Sequence, residues 1–173
     1  MRKTGWFAVL LALSVLLAAC GGVERETPEG PVLWFCAGQE DHGPALSPRA
    51  YDGALRPEAL LNALLAGPGQ EEGLRSPFPR GVTLLECGWD EERPGVLLVD
   101  LSEQYGALAD VSLSLADYSI VLTLSQVEGV EGVEITAGGR MVSYRSHQLM
   151  SAGEAVLWDE LADGPAGAPP QDT

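Results

Sequence analysis

The spacing of apolar and polar positions divides the chain into short apolar runs separated by loops rich in Gly and Pro. Val32 to Cys36 is a β-branched and aromatic run that predicts a first strand. The following GQEDHGPALSPRAYDGA is crowded with turn formers and predicts a loop. PEALLNALLAGPG predicts a helix. Pro57 suits the first helical position, Leu60, Leu61, Leu64 and Leu65 make one apolar face, and Gly67-Pro68 stops it. A second punctuated loop, GPGQEEGLRSPFPRG, leads into VTLLECG. WDEERPG then turns the chain into VLLVDLS, so these two runs predict a hairpin.

The stretch SIVLTLSQVEGVEGVEI admits two readings. Ile120, Leu122 and Leu124 alternate with Val121, Thr123 and Ser125 as in a strand. On a helical wheel from Leu113 to Glu128, however, Leu113, Ala116, Ile120, Leu124 and Val127 fill one sector without polar interruption. Leu115, Tyr118 and Leu122 form a second, smaller strip, with Asp117, Glu128, Ser114 and Ser125 between the strips on one side and Ser119 and Gln126 on the other. Ser114-Leu115-Ala116-Asp117 fits a capping box at the start, and Gly129 supplies a stop. The helix accounts for more of the pattern than a strand does. After it, Val133 and Ile135 predict a short strand, and Ala137-Gly138-Gly139-Arg140 predicts a turn into a strand from Met141 to Tyr144. Ser151-Ala152-Gly153-Glu154 fits another capping box, opening a brief helix or turn around AVLWDELA. The fold class predicted is α/β (α+β), a small mixed sheet with two helices packed on it, in the order β-α-β-β-α-β-β.

The N-terminal region changes the chemical setting. Arg2 and Lys3 precede an apolar run from Trp6 to Leu17 that is short for a bilayer span. Leu17-Ala18-Ala19-Cys20 then resembles a bacterial lipobox, in which the cysteine thiol takes lipid and becomes the new N-terminus. An ordinary secretory peptide cut near a cysteine is the competing reading. Residues 1–19 are therefore expected to be a lipoprotein signal peptide, and Cys20 the lipidation site. Each buried CH₂ of an acyl chain such as palmitate contributes about 0.8 kcal/mol to membrane binding. The expected location is the extracytoplasmic face of a bacterial cell membrane. Residues 20–30 read as a flexible tether, 31–162 as one domain, and 163–173 as a disordered tail.

Removal of the signal peptide discards two positive charges and no negative ones, so the net charge moves from −15 to −17 and no lysine remains. Such a surface repels nucleic acid and anionic lipid headgroups. Cys36 and Cys87 remain. Export permits a disulfide between them, while their apolar, strand-like surroundings suit free buried thiols equally. His42 and His147 are isolated and in no ligand spacing, so neither a metal nor any other cofactor is expected.

Catalytic chemistry finds little support. Ser102 lacks a nucleophile elbow, and His147 lies in an undistinguished RSHQ segment. The pairs Glu71-Glu72 and Glu91-Glu92 read as solvated loop carboxylates, and no phosphate loop, dinucleotide fingerprint or zinc motif is present. No enzymatic activity is expected. Two binding readings remain. Loops 38–55 and 67–81, with Trp89, are candidates to line a groove for a peptide or cell-wall glycan. Alternatively, Leu115, Tyr118 and Leu122 form a candidate partner surface, competing with burial under the C-terminal segment or cover by Trp158.

Several of these segments together resemble a known family. LLAGP closing the first helix, GLRSPFPRG before the hairpin, VLLVDLS as its second strand, and YSIVLTLSQVEGVEGVEI as helix and strand are similar to the GerM-type domain named for sporulation and spore germination (the GerMN domain). The likeness covers roughly Pro31 to Met150. The usual Tyr-Phe of the first strand appears here as Trp34-Phe35, and one domain copy is present where some relatives carry two. The resemblance implies a non-catalytic interaction or scaffolding domain on a cell-envelope lipoprotein, related to ring-building domains of secretion and sporulation channels. It also implies an envelope protein partner or self-association, in a sporulation- or germination-related assembly.

Overall fold

The computed structural model describes residues 28–37, 45–71, 73–143, 145 and 147–155. The expected signal peptide (1–19), Cys20, His42, Trp158 and the expected tail (163–173) lie outside them. β1 (Val32–Ala37) is the predicted first strand. It is the centre of a three-stranded antiparallel sheet, between β2 (Leu46–Ala50) and β3 (Leu74–Arg75). Both flanking strands fall in segments expected to be loops. β2 reads LSPRA, and Pro48, opposite Trp34, cannot donate to a ladder, so it suits only an edge. β3 pairs only with Cys36 and Ala37, too short a run to leave a sequence pattern.

A second, mixed sheet holds β4 (Leu84–Trp89), β5 (Val96–Leu101), β6 (Gly132–Ala137) and β7 (Arg140–Met141) in that order, with β8 (Leu149–Met150) also on β6. β4 and β5 form the predicted hairpin. Its loop is held by Asp90, whose Oδ1 accepts the N–H groups of Glu92 and Arg93 at 2.8 and 3.0 Å. β5 and β6 run parallel from Val96 opposite Gly132 to Leu101 opposite Ala137. A parallel pair requires a crossover, which the second helix supplies. Gly138 and Gly139, at φ 59° and 72°, make the tight turn from β6 to β7. β7 stops at Met141, short of the predicted run to Tyr144. The class is as predicted, with three added strands and a division into two sheets.

Helix α1 (Pro57–Leu65) buries Leu60, Leu61 and Leu64. Helix α2 (Asp110–Leu124) settles the ambiguous stretch as helical, with Gly129 at φ 86° in the turn that follows. Its start corrects the expected capping box. Ser114 lies inside the helix, bonding back to the Asp110 carbonyl, and the N-cap is Ala109, which has no side-chain cap. Asp110 holds the entry in the left-handed region at φ 51°. Leu113, Ala116, Ile120 and Leu124 are buried as the wheel indicated, and Val127 packs on the core from the turn. With Leu97, Val99, Leu101, Val133 and Ile135 from the second sheet and Leu33 and Phe35 from β1, they make one core. Each such side chain contributes roughly 1.5–3 kcal/mol by leaving water. The second expected capping box forms. Glu154 Oε2 accepts the Ser151 N–H at 2.7 Å and its hydroxyl at 3.0 Å, closing a 3-10 turn over Ala152–Glu154.

Candidate interaction surface

A charged cluster fastens the C-terminal segment to α2. Asp117, on the helix, and Arg145 have side chains only 4% and 3% exposed. Arg145 Nε donates to Asp117 Oδ2 at 2.8 Å and Nη2 to Oδ1 at 2.5 Å, while Nη1 donates to the Ile135 carbonyl at 2.6 Å. The Tyr105 hydroxyl donates to Asp117 Oδ1 at 2.5 Å, and the guanidinium carbon lies 5.9 Å from the Tyr105 ring centre. Burial first, and then the Asp117 charge, push the Tyr105 hydroxyl well above its ordinary pKa, so it stays a neutral donor. Every group in this cluster is occupied by another, which makes it an anchor. The cleft beside it, lined by Leu113, Tyr118, His147, Met150 and Glu154 among others, holds only about 100 Å³. That is small beside the roughly 300–1,000 Å³ of small-molecule sites.

The residues singled out from sequence are scattered. Leu115, Tyr118 and Leu122 are half-buried, and Tyr118 lines the cleft with Met150 and Glu154 of the C-terminal segment. Burial, then Glu154, raise the Tyr118 pKa. Cys36 and Cys87 are free thiols, on β1 of one sheet and β4 of the other, so the disulfide considered above is not formed. Burial raises both, Cys87 to about 11 with Glu58 adding to it. Ser102 closes the far end of the hairpin, its Oγ accepting the Thr83 N–H at 3.0 Å. His147 lies in the cleft with Glu154, apart from it. Among the described residues, no group of three or more His, Cys, Asp or Glu side chains is placed to hold a metal ion, and no helix is long and apolar enough to cross a membrane.

Sequence reasoning missed a latch between α2 and β1. Ser119, Thr123 and Gln126 fall on one helical stripe and meet the edge of β1 that β3 leaves open. Gln126 accepts the Val32 N–H at 2.8 Å and donates to the Val32 carbonyl at 2.7 Å. Thr123 Oγ1 accepts the Trp34 N–H at 3.1 Å, and Ser119 Oγ donates to the Trp34 carbonyl at 2.5 Å. The helix thus supplies, through side chains, the bonds a neighbouring strand would make. Ser119 and Thr123 are fully buried, and Ser119 and Gln126, which the wheel suggested as a divider between strips, mark a strand contact.

On the face of the second sheet away from the core, β4, β5 and β6 expose a shallow groove of about 290 Å³ lined by Glu86, Gly88, Trp89, Leu98, Asp100 and Glu134, with Thr136 and Gly139. Trp89, earlier grouped with loops 38–55 and 67–81, belongs to this groove. Asp100 Oδ1 accepts the Thr136 hydroxyl at 2.7 Å and the Gly139 N–H at 2.9 Å. Arg93 bridges Asp90 and Glu134.

Two helices packed on a three-stranded sheet and a mixed sheet, with an occupied ion-pair cluster and a half-open sheet face, define a small α/β domain. The family profile described as "Germane: Sporulation and spore germination" matches residues 38–143, and the chain belongs to that family, whose domains are non-catalytic modules. The first GerMN domain of the sporulation protein GerM from Bacillus subtilis is similar in fold, with TM-score 0.56 and 13% identity over 72% of this chain and 100% of that one. The tandem GerMN domains of the same protein align at TM-score 0.47 and 21% identity over 70% of this chain, which spans 43% of theirs. A putative lipoprotein from Clostridium perfringens aligns at TM-score 0.45 and 18% identity, over 65% of this chain and 76% of that one. A comparison with curated proteins finds no match.

Proposed function

We propose that this protein is a lipid-anchored scaffold of the cell envelope, holding one GerMN-type domain at the extracytoplasmic membrane face for contact with a protein partner in a sporulation- or germination-related assembly. The observation that carries the reading is the family match over residues 38–143 behind the lipobox-like Leu17-Ala18-Ala19-Cys20. In this scheme residues 20–30 form the tether and the domain runs from 31 to 162. The half-buried strip of Leu115, Tyr118 and Leu122 is one contact such a scaffold offers.

Cells expressing the chain are labelled with radioactive or alkynyl palmitate. Label is expected in the natural sequence and not in Cys20→Ala; equal label in both removes the anchor from the reading. In-cell crosslinking then tests the scaffold. Recovery of the monomer alone at native abundance counts against it. Leu122→Glu is expected to keep the fold and weaken capture if the helical strip faces a partner.

A further inference from the structure

Both sheets have edges, and among the described residues all but one of them are closed or short. Along β2, Pro48 removes a donor and Arg49 is tied to Glu71 at 3.0 Å. The open half of β1 is occupied by Ser119, Thr123 and Gln126. β3, β7 and β8 are two residues each. β4 is the exception. It is six residues long, ends the order of the second sheet, and pairs with β5 alone among the described residues. A bulge between Leu84 and Glu86 interrupts its start, which leaves Glu86 to Trp89 as a regular free run. Leu85 just before that run and Trp89 at its end are 56% and 48% exposed, and a Cβ placed on Gly88 would meet nothing within 4 Å. A second backbone can therefore approach closely at Gly88.

We infer that the β4 edge accepts an extended, cationic segment of a partner protein as an added strand. Charge selects this occupant. Glu86 stands on the edge strand itself and lines the groove with Asp100 and Glu134, one and two strands further in, and the Arg93 guanidinium is already shared by Asp90 and Glu134. Glu86 makes no ion pair among the described residues. A second copy of this chain brings the same carboxylates and a net charge of −15 or below, so self-pairing sets like charges together. A strand with Lys or Arg at alternate positions sets one of them against Glu86 on the groove side, in the acidic field of Asp100 behind it, while its main chain pairs with β4. The inference deepens the interaction-module reading and rests on it, but not on the lipid anchor.

The test uses a labelled, end-blocked decapeptide of alternating lysine and valine, titrated into the full chain in detergent and followed by anisotropy and amide hydrogen exchange. Binding is expected, with new protection at Leu84 to Trp89. Glu86→Lys and Leu85→Lys, both at exposed positions, are each expected to weaken it at least tenfold. Glu29→Lys, the same charge change on the segment before β1, is expected to weaken it less than threefold. Equal losses for Glu86→Lys and Glu29→Lys, or protection outside β4, overturn the inference by showing diffuse charge attraction. Protection of β4 without peptide, accompanied by dimers in sedimentation, also overturns it, because the occupant is then a second copy. Palmitate labelling is independent of these outcomes, so the anchor and the strand site fail separately.

Discussion

Replacing Arg145 with Met separates the buried ion pair from the packing around it. The substitution keeps an unbranched side chain but removes both hydrogen bonds to Asp117 and the one to the Ile135 carbonyl. The Asp117 carboxylate, 4% exposed, keeps only the Tyr105 hydroxyl. Breaking a buried pair from one side costs about 3–5 kcal/mol, because the remaining charge is stranded. Against a total stability of roughly 5–15 kcal/mol this is a large fraction. With a urea dependence of about 1.5 kcal/mol per molar, the midpoint falls by roughly 2–3 M. The assay is urea unfolding of the chain without residues 1–19 by circular dichroism, repeated for Asp117→Leu and for the double variant. The double variant, carrying no stranded charge, is expected to recover more than half of the single-variant loss. A loss below about 1 kcal/mol in Arg145→Met, or strictly additive losses in the double variant, would refute the coupling.

Gln126→Leu leaves the Val32 N–H and carbonyl without their side-chain partners, so a loss of about 1–3 kcal/mol is expected, with faster hydrogen exchange at Val32 than at the second-sheet amides. Asp110 sits at φ 51°, where Asp is tolerated and a β-branched residue is not. Asp110→Val is therefore expected to cost about 1–2 kcal/mol and Asp110→Gly much less, as read by thermal melting. Cys87, raised from its ordinary 9.0 to about 11, is expected to react with iodoacetamide at pH 8 about a hundredfold more slowly than a free thiol of ordinary pKa. Its folded pKa lies above the unfolded one, so the folded state binds more protons between those values. The associated stability is complete below pH 9 and is lost as pH rises towards 11. Cys87→Ala is expected to flatten the alkaline limb of a stability–pH curve, and an unchanged slope would contradict the assignment.

The elements legible in the sequence were those whose pattern is local. α1 carried its Pro, its leucines and its Gly stop, and the β4–β5 hairpin carried two apolar runs around a turn. α2 was legible as a helix because its apolar sector repeats over several turns. Its first residue was not. Ala109 and Asp110 give no capping signal, whereas Ser114 and Asp117 imitate one at the spacing of a box. β2 was hidden by Pro48, which marks an edge strand and a loop equally well. The counter-ion of Asp117 and the β1 partners of Ser119, Thr123 and Gln126 lie between 28 and 94 residues away, beyond any periodicity. One trace was present. A charged residue, Asp117, follows Ala116 of the apolar sector and sits between the two strips, and such a position calls for a buried counter-ion. The acidic groove on the second sheet left no local trace either, since its carboxylates come from three separate strands.

The way β1 is held has a mechanical consequence. Of the two sheets, the one containing β1 receives the chain from its N-terminal side, and its open edge is clasped by two side chains on α2 and by Gln126 in the turn after it. Tension arriving from that side is shared between the β1–β2 ladder, which begins with the Tyr51 N–H on the Pro31 carbonyl, and the clasp, loaded at Val32 by Gln126 and then at Trp34 by Thr123 and Ser119. The β4–β5–β6 ladder, with main-chain bonds along its length, lies behind them in the load path. A pull on the N-terminal side would thus strain the clasp and the β1–β2 ladder together before it reached the sheet that carries the acidic groove.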